Sequence, residues 1–254
     1  MTIRLERFSF DTDAPGPGTV RAEPALPDEV AEVSTELVHV TGPIPAREEP
    51  SPDVYIVLIG LAGQGTVRSG ESSFELVAES LARPACGHAY ELEVADGAEL
   101  HCLRVTRSLA EPDKQEMAAE PDRHAAMYAS RFADCPTYSQ DIKSARTVNR
   151  MLLPKGKVPR FCMGSVQTTG PDQVAAHRHP MLDQLFLGLN DCRCTIHADA
   201  DATLLTGSML LHIPLGSNHS ATVAEGDTLY YVWLDFFRTL DLSWITDQHI
   251  IDEK

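Results

Sequence analysis

Short runs of apolar and β-branched residues, separated by glycine, aspartate and asparagine, dominate the chain from Val54 onward. Runs of this length and composition predict β-strands, and few of them carry the period of an amphipathic helix. The predicted strands are VYIVLIGLAGQGTV from Val54, SFELVA, AELHCLRVTR, PRFCMGSVQTT, DQLFLGL, CRCTIHA, SMLLHIPL, SATV and TLYYVWLDFF. This strand and turn spacing indicates an all-β fold, either a sandwich or a barrel.

Two stretches interrupt the strand pattern. Residues 11 to 53 are rich in Pro, Glu, Ala and Asp, which predicts a loop-rich arm with one strand at Glu36 to Val40. From Pro112 to Ala145, helix-forming residues alternate with breakers, which predicts a short helical connector. We therefore expect an arm over 1–53, a first barrel over 54–111 completed by strands from the arm, a connector over 112–145 and a second barrel over 146–254.

The two strand-rich blocks resemble each other. ARPACGHAYELEVADGAELHCLRV from Ala82 aligns with HIPLGSNHSATVAEGDTLYYVWL from His212 if one residue is gapped. Pro84 then lies opposite Pro214, and His88 lies close to His219. An internal duplication is the simplest explanation of this match.

Composition excludes several classes of partner. The 254 residues include 43% hydrophobic residues, enough for a sizeable core, and carry a formal net charge of -16. Such a charge repels nucleic acid and anionic membrane surfaces. The first residues are charged where a signal peptide requires an apolar segment, and no window approaches a transmembrane span. We expect a soluble, cytoplasmic protein that binds neither nucleic acid nor membrane.

The six cysteines are too few for a disulfide scaffold in a chain of this length. Several lie inside apolar runs, where a thiol packs as a small hydrophobic side chain. Cys192-Arg193-Cys194 lacks the second ligand pair of a structural zinc site. We interpret the cysteines as reduced.

Histidines provide the strongest chemical signal. His177 and His179 are two residues apart, so on a strand both side chains leave the same face. Gln184 follows His179 after four intervening residues, and His219 comes just after the turn PLGSN. Three imidazoles and one oxygen donor suit a single divalent transition metal ion such as Zn, Ni, Fe or Mn, with positions left for water or substrate.

These segments resemble the two sequence motifs of the cupins. HRHPMLDQ from His177 is similar to the first motif, and GSMLLHIPLGSNH from Gly207 is similar to the second. The resemblance covers about Val158 to Phe237 and implies a jelly-roll β-barrel. The first block keeps only PACGH and has no H-x-H near Arg47 to Asp53. The whole chain thus resembles a bicupin, two jelly-roll barrels joined by a short helical connector, whose N-terminal barrel has lost its metal.

The oxygen ligand has two candidates. Cupins usually place Glu where this chain has Gln184, and Asp183 becomes the ligand if the spacing is three residues instead of four. We favour Gln184, whose amide is neutral and would leave the charge of the metal uncompensated. Such an ion attracts an anionic or bidentate oxygen substrate and is a strong Lewis acid.

An H-x-H-x4-Q sequence followed by His is similar to that of cupins that linearise unsaturated uronates. Those cupins place Asp and Arg after the last His, and Asp235 and Arg238 lie in that neighbourhood at a different spacing. The resemblance implies Asp235 as a proton shuttle and Arg238 as a substrate contact. Further cavity candidates from strand parity and sequence position are Tyr231, Trp233, His212 and Gln167.

We therefore expect a metal-dependent lyase, isomerase or hydrolase that acts on a small polar, carboxylate-bearing substrate such as a sugar acid or ketoacid. Two alternatives remain open. One is an Fe(II)-dependent dioxygenase, since three-histidine cupin sites also activate O2, and the other is a cupin that binds a small molecule without changing it. The sequence leaves open whether two chains form a homodimer.

Overall fold

The structure is a computed structural model that describes residues 3–10, 16–179 and 181–239. Within these residues it has twenty strands, two α-helices and one 3-10 turn at Phe132–Asp134. None of the helices in the described part is long and apolar enough to cross a membrane. In chain order the elements are β1 Arg4–Arg7, β2 Thr19–Pro24, β3 Val33–Thr41, β4 Ile44–Glu48, β5 Val54–Ser69, β6 Ser72–Val77, β7 Ser80–Arg83, β8 Tyr90–Val94, β9 Glu99–Ser108, α1 Glu111–Ala119, α2 Pro121–Ala125, β10 Tyr128–Arg131, β11 Thr137–Tyr138, β12 Val148–Val158, β13 Phe161–Thr169, β14 Asp172–His177, β15 Leu182–Gly188, β16 Arg193–Ala198, β17 Asp201–Thr206, β18 Met209–Ile213, β19 His219–Val223 and β20 Thr228–Phe237.

The chain divides into two compact units. The first unit comprises the described residues within Ser9–Asp134 and Lys157–Pro159, and the second those within Met1–Phe8, Cys135–Gly156 and Arg160–Lys254. Each unit is built from antiparallel strands, as the alternating runs predict. The prediction of an all-β chain with two jelly-roll barrels and a short helical segment is confirmed.

The first unit contains a nine-stranded sheet in the order β10-β7-β5-β9-β3-β2, from which β6, β8 and β4 extend through the long strand β5. Its apolar interior is one cluster of buried side chains, including Val38, Leu58, Leu92 and Leu100. The predicted arm is more ordered than its composition suggested. It supplies β2, β3 and β4. These strands form because β3 pairs with β9 and β4 pairs with β8, which satisfies the hydrogen bonds of their backbone N–H and C=O groups. Local composition does not encode this long-range pairing.

The second unit has a seven-stranded sheet, β1-β18-β15-β20-β13-β12-β11, and a four-stranded sheet, β14-β19-β16-β17. The region predicted as a helical connector differs from a purely helical link. It forms α1 and α2, but it also contains β10 and β11, and from Cys135 onward it belongs to the second unit. Strand pairing with β7 and β12 determines these short strands, which carry too few residues to show a period of their own.

Matching glycine contacts and Gly-Pro pairs in the two units support the internal duplication. Gly60 and Gly188 both lie where a Cβ atom would clash with a backbone carbonyl, that of Val77 at 1.9 Å and that of Thr206 at 2.1 Å. Each unit also has a Gly-Pro pair directly before a strand. In the first unit this strand is β4, which pairs with β8, and in the second unit it is β14, which pairs with β19.

The register of the strands identifies the residue of the first unit that corresponds to His219. The β14–β19 pair ends at His177 and His219, and the β4–β8 pair ends at Glu48 and Tyr90. Tyr90, two residues after His88, therefore takes the position of His219 in the first unit. This register agrees with the gapped alignment, in which VADGAEL lies opposite VAEGDTL and His88 lies close to His219 without matching it.

Candidate metal centre

Three histidines meet where β14 and β19 pair. His177 is the last residue of β14 and lies directly opposite His219, the first residue of β19, with ring centroids 4.3 Å apart. His179 follows β14, and its ring centroid lies 4.9 Å from that of His177 and 5.4 Å from that of His219. One ligand atom from each imidazole lies within 4.8 Å of the others. His177 and His219 are buried and His179 is partly buried.

Backbone carbonyls orient two of these rings. Nδ1 of His177 lies 2.7 Å from the carbonyl oxygen of Ala175, and Nδ1 of His219 lies 3.1 Å from that of Ser217. Each Nδ1–H therefore donates to a carbonyl, and Nε2 carries the lone pair. This tautomer is the usual one for an imidazole that binds a metal through Nε2.

Strand register decides which residues of β15 face the same interior. Gln184 pairs with Asp235 of β20, and Phe186 pairs with Trp233, so these four side chains lie on one face of the sheet. The ring of Phe186 lies 6.0 Å from that of His219 and stacks on Tyr231 at 4.5 Å. This face therefore points toward the histidine cluster.

Gln184 and Asp183 have different partners. Nε2 of Gln184 donates to Oδ1 of Asp235 at 2.7 Å, and its Oε1 is buried without a hydrogen-bond partner among the described residues. Asp183 lies on the opposite face of β15, where it accepts hydrogen bonds from Arg238 at 3.1 and 3.5 Å. Of the two candidates for the oxygen ligand, the structure places Gln184 on the interior face.

Asp235 is an acidic side chain on this interior face. Burial raises the pKa of its carboxyl to about 7, although the hydrogen bond from Gln184 and the nearby Lys143 and Lys155 favour the charged form. Lys143, in the loop before β12, lies close enough to act on this carboxyl electrostatically. Burial lowers the pKa of Lys143 to about 7, against the attraction of Asp235.

Lys143 and Tyr138 are two residues of the site that the sequence did not reveal. Nζ of Lys143 donates to Oε1 of Gln140 at 2.6 Å and lies 5.9 Å from the centroid of the Tyr138 ring. Burial raises the pKa of the Tyr138 hydroxyl, and Asp235 raises it further, while a hydrogen bond with Trp233 opposes the shift. Both residues lie in the stretch predicted as a connector, which offered no motif to reveal them.

The structure brings together only part of the predicted substrate set. Trp233 and Tyr231 share the face of Asp235. Gln167 pairs with Tyr230 and His212 pairs with Leu185, which puts both on the opposite face of the sheet. Arg238 is exposed and paired with Asp183 on that same opposite face. Strand parity alone could not distinguish the two faces.

The corresponding position in the first unit contains an ion-pair network instead of histidines. Tyr90 donates to Glu48 at 2.9 Å, and Nη1 of Arg104 lies 2.6 and 2.7 Å from the two oxygens of Glu48. Nη2 of Arg104 lies 2.8 Å from Glu36. A guanidinium group thus supplies the positive charge at the end of this interior, and no imidazole from the described residues lies in this network.

Comparison with solved structures shows the cupin fold. At 10% identity, a putative glyoxylate-induced protein from Pseudomonas aeruginosa matches with a TM-score of 0.70, covering 87% of this chain and 81% of that one. A cupin 2 conserved barrel domain protein from Leptotrichia buccalis matches at 14% identity with a TM-score of 0.62, covering 89% and 92%. Oxalate decarboxylase from Lactobacillus farciminis matches at 10% identity with a TM-score of 0.57, covering 82% and 77%. No family model matches the chain, and no curated protein matches it by sequence.

Proposed function

We propose that the chain is a metal-dependent cupin enzyme of the lyase, isomerase or hydrolase type, acting on a small polar substrate that carries a carboxylate. Its metal ligands would be His177, His179, Gln184 and His219. The observation that carries the proposal is the convergence of three imidazoles within 4.8 Å, beside an interior carboxyl that is hydrogen-bonded to Gln184.

The residues present fit a divalent transition metal ion. Carbonyl oxygens orient His177 and His219 through Nδ1, which is the outer hydrogen bond that metal-binding histidines normally make. The Oε1 atom of Gln184 is buried and has no hydrogen-bond partner among the described residues, and a cation would remove the cost of burying it. When bound, the metal ion would act as a Lewis acid that polarises an oxygen of the substrate. All four ligands are neutral, a set that favours an anionic substrate.

Asp235 is the group we assign to proton transfer. Its Oδ1 accepts the hydrogen bond from Gln184, which fixes the carboxyl orientation and leaves Oδ2 to exchange a proton with the substrate. The same hydrogen bond aligns the amide of Gln184, so that its oxygen points away from Asp235. A single contact therefore positions both a ligand and the acid or base.

Lys143, Tyr138 and Trp233 would bind the substrate. The ammonium group of Lys143 lies close enough to Asp235 for the two charges to influence each other, and it offers a partner for a substrate carboxylate. The indole of Trp233 lies over Gly164, where a Cβ atom would come within 2.2 Å of the ring. Glycine at this position lets an aromatic wall form beside the acid and exclude water.

A carboxylate-bearing substrate is also consistent with one fold relative, oxalate decarboxylase, whose name specifies a dicarboxylate. The similarity of the histidine motif to cupins that linearise unsaturated uronates adds sugar acids to the candidates. We propose both sugar acids and ketoacids as the substrate classes to test first.

The test is metal content and turnover of the full chain purified without a polyhistidine tag. His177→Ala should remove the metal of this centre and reduce turnover on a panel of uronates and ketoacids to background. His197→Ala is the matched control, because His197 lies in the same unit and its Nε2 contacts Thr222 outside the cluster. Turnover that persists in metal-free protein would refute the proposal.

Two further measurements separate the alternatives. Turnover that survives anaerobic conditions and zinc substitution supports the Lewis-acid enzyme, whereas loss of turnover under both conditions indicates an Fe(II)-dependent dioxygenase. Saturable ligand binding that requires His177, with no product formed, indicates a binding cupin and overturns the enzymatic proposal.

A further inference from the structure

A second cluster of ligand-type side chains lies in the first unit. His39 on β3 lies directly opposite His101 on β9, and Glu99 precedes His101 by two residues on the same strand. Nε2 of His39 lies 3.0 Å and Nε2 of His101 lies 3.6 Å from Oε2 of Glu99. The two imidazoles stack with centroids 3.9 Å apart, and the ligand atoms of all three residues lie within 4.8 Å of one another.

The cluster lies outside the barrel interior. Val38, Val40, Leu100 and Cys102 belong to the apolar core of the first unit, so the alternate residues of β3 and β9 face the other way. The interior position that corresponds to the histidine centre of the second unit holds the network of Glu48, Tyr90 and Arg104. The cluster of His39, Glu99 and His101 is therefore separate from any vestige of a cupin centre.

The separations fit a small divalent ion. Zinc bonds to imidazole nitrogen and carboxylate oxygen are about 2.0–2.2 Å long, so tetrahedral ligand atoms lie about 3.3–3.5 Å apart. The separations of 3.0 and 3.6 Å between Oε2 of Glu99 and the two imidazole nitrogens bracket this value. Two imidazoles and one carboxylate also form a ligand set that zinc uses when it keeps a position open for water.

Burial supports a defined site with one open side. His39 and His101 are 3% and 5% exposed, whereas the side chain of Glu99 is 42% exposed. The sheet therefore fixes both imidazoles, and the carboxylate lies at the entrance through which an ion would arrive. The ring of Phe10, 5.0 Å from that of His101, adds an aromatic wall.

We propose that His39, Glu99 and His101 form a second metal site, in the first unit, that binds Zn²⁺ or a similar first-row divalent ion together with water. The site requires no metal at the centre of the second unit. The first unit would then bind a metal on its outer sheet face, whereas its interior network of Glu48, Tyr90 and Arg104 contains no imidazole from the part of the chain that the structure describes.

The experiment uses full-length His177→Ala/His219→Ala protein, in which the proposed site is the one histidine cluster left among the described residues. Titration with Co²⁺, followed by its visible absorption, and Zn²⁺ analysis by mass spectrometry should show one equivalent per chain. Adding Glu99→Gln, which is nearly isosteric, should weaken binding by more than the roughly 10–100-fold typical of losing an outer partner. Adding His88→Ala, an exposed histidine of the same unit, should change nothing.

If the background variant fails to fold by circular dichroism, the comparison is made between the wild type and Glu99→Gln alone, with the bound metal expected to fall by one equivalent per chain, whatever the second unit binds. A folded background variant that binds no Co²⁺, or a Glu99→Gln variant that binds as tightly as its parent, would overturn the proposal and identify a hydrogen-bonded cluster only. Because the readout is metal at the first unit, a failure of the enzymatic proposal would leave this result unaffected.

Discussion

Asp172 anchors the loop that carries Lys143, and its removal is a direct test of how the candidate site is held. Oδ2 of Asp172 accepts hydrogen bonds from Ser144 and Thr168, each at 2.7 Å, and Oδ1 accepts one from the backbone N–H of Gln173 at 2.8 Å. The side chain is only 5% exposed. The loop residue Ser144 directly follows Lys143, so Asp172 holds the loop segment that carries Lys143.

The expected cost of Asp172→Ala follows from these contacts. A hydrogen bond to a charged group is worth about 1.5–3 kcal/mol, and the ion pair with the exposed Arg146 at 3.8 Å adds close to nothing. The two hydroxyl groups regain water in part after the substitution. We therefore expect the free energy of unfolding of the second unit to fall by about 3 kcal/mol at neutral pH.

The same contacts predict how this cost varies with pH. Burial alone would raise the pKa of Asp172, but the hydrogen bonds from Ser144 and Thr168 outweigh it and lower the pKa below its ordinary value of 3.8. A carboxyl whose pKa is depressed by folding stabilises the protein above its unfolded value, and this contribution is lost as the pH falls through the folded value. The difference between wild type and Asp172→Ala should therefore shrink below about pH 4.

Urea denaturation followed by circular dichroism and fluorescence, at pH 7 and in steps down to the acid range, measures both effects. Asp141→Ala is the control, because Asp141 is exposed in the same loop, and it should change stability by less than about 0.5 kcal/mol. A loss below about 1 kcal/mol for Asp172→Ala, or a loss that does not vary with pH, would refute the reasoning.

Two further substitutions test the charged groups of the two interiors. Lys143→Met should raise the free energy of unfolding most at pH 7 and below, because burial lowers the pKa of Lys143 to about 7 and its charge is a cost until the proton leaves. As the pH rises from 7 toward the ordinary pKa of lysine, the free energy of unfolding of the wild type should approach that of the variant. Turnover should fall in the variant. Equal free energies of unfolding of the two proteins at acid pH would contradict this reasoning. Arg104→Met should lower the thermal midpoint by the equivalent of about 2–4 kcal/mol, since Glu48 and Tyr90 would lose their cation, and scanning calorimetry would detect it. Arg47→Met, on an exposed arginine of the same unit, should leave the midpoint nearly unchanged, and a similar effect of both variants would disprove the role of the network.

The sequence by itself determined the class of fold and the position of the histidines. Apolar alternation and turn residues specify strands locally, and His177 and His179 share a face because strand side chains alternate with a period of two. The link between these histidines and His219 followed from motif spacing, a prediction that still awaits a metal measurement. The proposed metal site of His39, Glu99 and His101 has no sequence motif that would predict it. It joins His39 to a strand 60 positions further along the chain, and only strand pairing brings the two together.

Only the tertiary structure decided which faces and loops meet. Parity indicates that Gln184 and Asp183 point in opposite directions, but the register against β20 shows which of them faces the interior. The same register moves Gln167 and His212 to the other face. Lys143 enters the site from a loop held by Asp172, through hydrogen bonds between residues distant in sequence. Local sequence fixes alternation within a strand, whereas the absolute direction of each side chain depends on long-range pairing, which no local pattern encodes.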